Sequence, residues 1–187
     1  MVKRQHTFAA PGFSAPSLLL STVLLASASV TVASAAPIRL GNLPLSVEPG
    51  EKLLLLTDAA IQRTFGAGNR PDAVFFSSDK KVSMAFEWRD IKLASGDVNT
   101  MLDKFPAVIR SQVPGVKTMK QQLLSLNGNN WADFVFVAPG KTGDVRREML
   151  ITSAQGRMLV LTISSNVADY SKNEADVKAM TDSIRLN

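Results

Sequence analysis

From residue 82 to residue 88 the large apolar side chains fall on every second position. Val82, Met84, Phe86 and Trp88 alternate with Ser83, Ala85 and Glu87. A period of two puts the first set on one face of a strand and leaves the other face open to water. Between Asp97 and Val113 the period changes. Val98, Met101, Leu102, Phe105, Val108 and Ile109 recur at helical spacing, with Asp97 placed as N-cap. Pro106 lies inside this stretch. It lacks an N–H and clashes with the preceding turn, so the pattern predicts a kinked helix or two short helical pieces.

After Pro114-Gly115 come four strand-like runs: Lys117 to Leu126, Trp131 to Ala138, Val145 to Thr152, and Arg157 to Ser165. The separators, residues 127–130, 139–143 and 153–156, are rich in residues that tolerate turn geometry, so the runs read as antiparallel neighbours joined by hairpins. Residues 158–163 are apolar on nearly both faces, which marks a central strand covered on both sides. The chain then closes with a helix: Ser171 and Glu174 have capping-box spacing, Tyr170 takes the staple position, and Val177, Met180 and Ile184 form a buried stripe. Arg185 suits the negative end of that helix.

Earlier in the chain, Leu43 to Val47 reads as a strand, and Thr57 to Phe65 as a short helix capped by Thr57 and ended by Gly66. Residues 53–56, four leucines, fit either a strand or the start of a buried helix. Ala73 to Ser77 pairs with Val82 to Trp88 through the turn at residues 78–81. The whole predicts an α+β fold in a single domain: an antiparallel sheet of about six to seven strands packed with helices, an α/β sandwich.

The first residues change the picture. Lys3 and Arg4 precede an apolar, small-residue-rich stretch from about Leu18 to Ala28, and residues 32–36 (Val-Ala-Ser-Ala-Ala) run up to Pro37. This is the order of a secretory signal, with cleavage expected after Ala35, or alternatively after Ala36. The division is then a signal peptide over 1–35 and a sandwich domain over 36–187, located in the periplasm or secreted. The competing reading keeps residues 14–32 as an uncleaved membrane anchor, against which its many Ser, Thr and Ala residues argue.

The leader holds two basic residues and no acidic one, which leaves 19 basic against 16 acidic residues and a net charge of +3 on the remainder. That surplus is too small to indicate nucleic acid or a membrane surface. With no cysteine, an exported chain has no disulfide to hold it, and its stability must come from a packed core. Lipid attachment at a cleaved N-terminal cysteine is excluded for the same reason.

Three phrases carry a resemblance. They are residues 42–49 (Asn-Leu-Pro-Leu-Ser-Val-Glu-Pro), residues 126–131 (Leu-Asn-Gly-Asn-Asn-Trp) opening a strand, and residues 180–186 (Met-Thr-Asp-Ser-Ile-Arg-Leu) at the end. With the order of elements, they make the chain resemble the PsbP-like, DcrB-like α/β-sandwich family of small exported proteins. These are packing and turn positions. The resemblance implies the fold, and accessory or binding proteins with unrelated partners; it transfers no active-site motif.

The single histidine, His6, falls in the leader, so the remainder can build neither a Ser-His-Asp triad nor a histidine metal site. Cysteine nucleophiles are excluded outright. Gly140-Lys141-Thr142 matches the end of a phosphate-binding loop, but Val135 stands where the motif needs glycine, and a hairpin tip is the better reading. Calcium-loop spacing is absent. Glu87 with Asp90, Asp133, Asp144 with Glu148, and Asp169 with Asp176 are the carboxylates available for acid and base work.

The adjacent pairs Lys80-Lys81 and Arg146-Arg147 are candidates for meeting an acidic partner, against the plainer reading of solvated pairs that discourage edge pairing. Trp88 is a candidate anchor, and Trp131 poses the same choice between core and interface. The reading that follows is a non-enzymatic exported protein without cofactor or metal, acting through contact with another envelope protein. Alternatives are a periplasmic immunity protein that neutralises a toxin, a hydrolase using carboxylates or a Ser-Lys pair, and a structural protein tethered by its uncleaved N-terminus. The leader reading has a direct check. Intact-mass measurement of the exported protein is expected to give a chain beginning at residue 36 or 37, and the full-length mass would restore the anchor.

Overall fold

The computed structural model describes residues 36–187 other than residues 67 and 69, so the leader predicted over 1–35 lies outside the described residues. The first half of the fold runs β1 (Ile38–Arg39), β2 (Leu45–Val47), β3 (Leu53–Leu55), α1 (Asp58–Phe65), β4 (Ala73–Ser77), β5 (Val82–Lys92) and α2 (Val98–Gln112). The second half runs β6 (Lys117–Leu126), β7 (Asn129–Ala138), β8 (Val145–Ala154), β9 (Arg157–Asn166), α3 (Val167–Asp182) and β10 (Arg185–Leu186). Seven strands form one antiparallel sheet in the order β3-β4-β5-β9-β8-β7-β6, and β1, β2 and β10 form a small second sheet. This is the α+β sandwich that the alternating periods predict.

Alternation along β9 explains the layers. Leu159, Leu161 and Ile163 join Phe75, Met84, Phe86, Leu150 and Trp131 in a core that also takes Val177, Met180 and Ile184 from the α3 end and Leu45 and Val47 from β2. Met158 and Val160 point the other way, into a second core with Ala132, Phe134, Phe136, Met149 and Ile151 beneath Val98, Met101 and Ile109 of α2. The main sheet is therefore covered on both faces, and the doubly apolar run 158–163 is its middle strand.

The hairpins follow from two dipeptides. Asn127-Gly128 joins β6 to β7 and Gln155-Gly156 joins β8 to β9, all four residues with positive φ (48°, 81°, 53° and 75°). Two-residue turns of this hand match the twist of the strands they connect. Asn127 also reaches beyond its own turn. Its side-chain amide donates to the carbonyls of Asp182 (3.0 Å) and Ile184 (2.8 Å), tying the hairpin to the end of α3.

Three local expectations are corrected. First, α2 runs unbroken through Pro106, which is buried. The lost backbone bond costs about 3 kcal/mol, and it is outweighed by burial of the helix face, where the Phe105 ring packs 5.1 Å from that of Phe134. Asp97 does occupy the N-cap position of α2, as the last residue of a 3₁₀ turn, but its side chain makes no capping bond.

Second, α3 starts at Val167, one turn before the Ser171 capping box. Asn166 occupies the cap position without a side-chain bond, and the Val167 N–H donates to the Asp144 carbonyl (2.9 Å), so a tertiary contact replaces the local one. Third, Arg185 is not at a helix end but in β10, opposite Ser46. Thr57 and Gly66 do bound α1 as expected, the Thr57 hydroxyl accepting from the Ala60 N–H (3.3 Å).

Leu161 is fully buried in the middle strand. L161A is expected to lower unfolding stability by about 2–5 kcal/mol, read from denaturant midpoints at unchanged m-value; a loss below about 1 kcal/mol would show that the site collapses around the gap.

Candidate functional site

Two surfaces and one buried cluster stand out. A groove of about 410 Å³ opens where the segment before β2, the start of α1 and the chain entering β4 meet the outer half of β5; it is lined by Gly41, Asn42, Leu43, Asp58, Arg70, Pro71, Asp72 and Trp88. The Asp72 carboxylate accepts from the Trp88 backbone N–H (2.7 Å), and the Arg70 guanidinium pairs with Asp58 (3.2 Å). The Trp88 indole is held by its own N–H donating to the Ala154 carbonyl (3.2 Å) and by the Arg157 guanidinium 4.0 Å over the ring.

The second surface is β6, a ten-residue edge strand with only β7 beside it among the described residues. Met119 and Leu123 on it are 64% and 40% exposed, two of the three large hydrophobic residues exposed among the described residues. Sequence pattern placed a strand here but had no means of saying that it would be an edge. The sheet order decides that.

The buried cluster sits on the α3 face of the sheet. Asp133, on β7, has a fully buried side chain whose Oδ2 accepts from Lys120 Nζ (2.8 Å) and from the Gln122 amide (3.1 Å). Glu148, on β8, accepts from the Arg146 guanidinium (2.8 Å) and lies 4.0 Å from the same Lys120. The Arg146 guanidinium in turn stacks on Tyr170 of α3, 3.6 Å from the ring centroid. Asp133 Oδ1 and Arg146 Nη1 are buried without a hydrogen-bond partner in the described structure.

Burial raises the Glu148 pKa despite its Arg146 partner, with the Asp133 charge adding to the rise. Tyr170 is pushed up to about 12, by burial first and then by the Glu148 charge. Asp133 and Glu148 thus do converge, around Lys120, but each is held by a cation and neither lines the groove. Among the described residues no group of three metal-ligating side chains gathers.

The five residues singled out from the sequence do not form one surface. Lys80 and Lys81 are exposed in the β4–β5 turn, where Lys80 has φ +60°. The Lys81 N–H donates to Ser77 Oγ (3.1 Å) and to the Asp79 carboxylate (3.0 Å). Bonds from the Ser77 hydroxyl, the Lys81 N–H and the Asn173 amide hold the Asp79 pKa below the usual carboxylate value.

Trp88 lies seven residues farther along β5, roughly 20 Å away at strand spacing. Arg146 and Arg147, adjacent on a strand, point to opposite faces. Arg146 belongs to the buried cluster, and Arg147 is desolvated enough to lower its pKa. The solvated-pair alternative therefore fits Lys80 and Lys81 but not the two arginines, because β8 lies inside the sheet. Trp131 is a core residue, 1% exposed.

No protein-family model matches the chain, and no curated protein matches it in sequence. Solved structures do match. Cyanobacterial PsbP (CyanoP) from Synechocystis sp. PCC 6803 superposes with a TM-score of 0.58 at 10% identity, over 88% of this chain and 99% of that one. The fold is PsbP-like. LpqN, involved in cell envelope biogenesis of Mycobacterium tuberculosis, superposes with a TM-score of 0.54 at 11% identity, over 81% of this chain and 90% of that one. The expected resemblance thus holds for the architecture, and at such identities architecture is all that it carries.

The buried cluster yields a pH prediction. Folded protein holds the Glu148 proton more tightly than unfolded chain does. The corresponding stability is fully present below the ordinary value of 4.5 and is lost as pH rises through the raised folded value. Urea midpoints for wild type and E148Q between about pH 4 and 8 should therefore diverge in the variant's favour as pH rises. A constant difference would show that Arg146 and Lys120 fully offset the burial.

Proposed function

We propose that this chain is an exported envelope accessory protein that works by holding another protein, and that the contact runs along β6. The observation that carries this reading is the ten-residue edge of the main sheet presenting Met119 and Leu123 to solvent. An edge strand offers a row of backbone donors and acceptors that an extended segment of a partner can complete, while side-chain contacts confer selectivity.

Lys117 stands exposed on the same strand, and the register slips by one residue between Thr118 and Lys120. A charge and a bulge are the usual means of preventing indiscriminate strand pairing. They select a partner that brings carboxylates and apolar side chains together. The leader-like N-terminus supports an envelope location, as does the shared fold with LpqN, a protein of envelope biogenesis.

The other arm of the reading is the Lys80-Lys81 turn, and one experiment separates the two. Crosslinked capture from the native envelope is compared for wild type, M119E/L123E and K80E/K81E, each checked for an unchanged thermal midpoint, as expected for exposed positions. One dominant protein is expected with wild type and K80E/K81E and is lost with M119E/L123E. Loss only with K80E/K81E would move the contact to the β4–β5 turn, and loss with neither would overturn a protein contact at both places.

A further inference from the structure

We propose that the groove beside Trp88 is a binding site for a neutral saccharide. It lies at the β4–β5 side of the main sheet, with β9, β8 and β7 between it and β6, so it is a second site and does not depend on the reading of that edge. Its volume of about 410 Å³ falls in the ordinary range for small-molecule sites, roughly 300–1,000 Å³.

The aromatic wall is built before any ligand arrives. The indole N–H of Trp88 is committed to Ala154, and the Trp88 backbone N–H to Asp72. Arg157 clamps the ring from one side: it stacks on the indole, donates to the Trp88 carbonyl (3.3 Å) and lies 3.5 Å from Asp90. Trp88 lines the groove and Arg157 does not, so the clamp lies outside the space open to a ligand. An aromatic surface fixed in this way loses little conformational freedom when the apolar C–H face of a sugar ring meets it.

The polar wall selects the ligand class. Arg70 supplies only donors, Asp58 and Asp72 only acceptors, and the Asn42 amide both. A mixed set suits hydroxyl groups, each of which donates and accepts. Two carboxylates against one guanidinium leave an excess negative charge, which disfavours an anion. A cation is disfavoured because Arg70 stands in the wall and Arg157 already takes the cation–π position on the indole. A neutral, hydroxyl-rich ring that presents one apolar face matches this mixture of donors and acceptors.

Trp88 and Trp131 are the only tryptophans, and Trp131 is buried away from the groove, so their two indole N–H resonances form a reporter and an internal control. The purified protein is titrated in ¹H–¹⁵N spectra with cellobiose and with chitobiose, and separately with putrescine and inorganic phosphate. At least one disaccharide should move the Trp88 resonance to saturation and leave that of Trp131 in place.

N42A, at an exposed position, should weaken this binding by about 3- to 10-fold, the loss of one hydrogen-bonding side chain. M119E/L123E should bind the sugar as wild type does, which separates failure of this site from failure of the β6 contact. Saturable movement of Trp88 with putrescine or phosphate would overturn the assignment, as would no movement with either disaccharide or N42A binding at wild-type strength.

Discussion

A sheet buried on both faces by a chain without disulfides is the constraint on which the rest of this structure depends. β9 sends Leu159, Leu161 and Ile163 to one core and Met158 and Val160 to the other, so both faces of the sheet need cover. α2 provides it on one side, and α3 with the small sheet provides it on the other. Because burial of apolar area is the main favourable term available, features that are locally unfavourable survive inside it. Pro106 within α2 and the uncapped start of α3 are two of them.

The same cover explains where charge becomes trapped. At the β6–β8 side of the α3 face three adjacent strands turn Lys120 and Gln122, Asp133, and Arg146 and Glu148 inward, with Val135 the apolar residue between Lys120 and Glu148. Tyr170 of α3 closes over them. Such a cluster is weak as a source of stability, since desolvation offsets much of the attraction, but removing one member leaves the others buried and unpaired. The contact of α3 with it is the Tyr170 ring, on which the Arg146 guanidinium stacks. The two carboxylates that converge here are each paired with a cation, Asp133 with Lys120 and Glu148 with Arg146.

The two proposed contacts lie at the two sides of the sheet. Among the described residues β6 stands last in the sheet with most of its side chains exposed, while at the β4–β5 side the strands, α1 and the segment before β2 leave a polar groove that Trp88 helps to line. The likeness to CyanoP and LpqN is one of fold alone.

Much of the architecture was legible in advance, and the reason is local. Period-two and helical spacing in residues 82–88 and 98–109, the turn residues between β6 and β9, and the Thr57 and Gly66 bounds of α1 act within a few residues of one another. The site was less legible. Lys80, Trp88 and Arg146 each looked like surface candidates, yet they occupy a turn, a groove wall and a buried cluster. Position in sequence says nothing about which strand lies beside which.

The sequence by itself determined the elements, the two-faced burial of residues 158–163 and the thiol and disulfide chemistry that a chain without cysteine must do without. Tertiary structure alone decided that β6 pairs only with β7 among the described residues, that Asp133 and Glu148 meet around Lys120, and that Arg157 pins Trp88 at a groove. Those three facts are pairings between distant segments, and such pairings are selected by burial of the whole sheet rather than by any local preference.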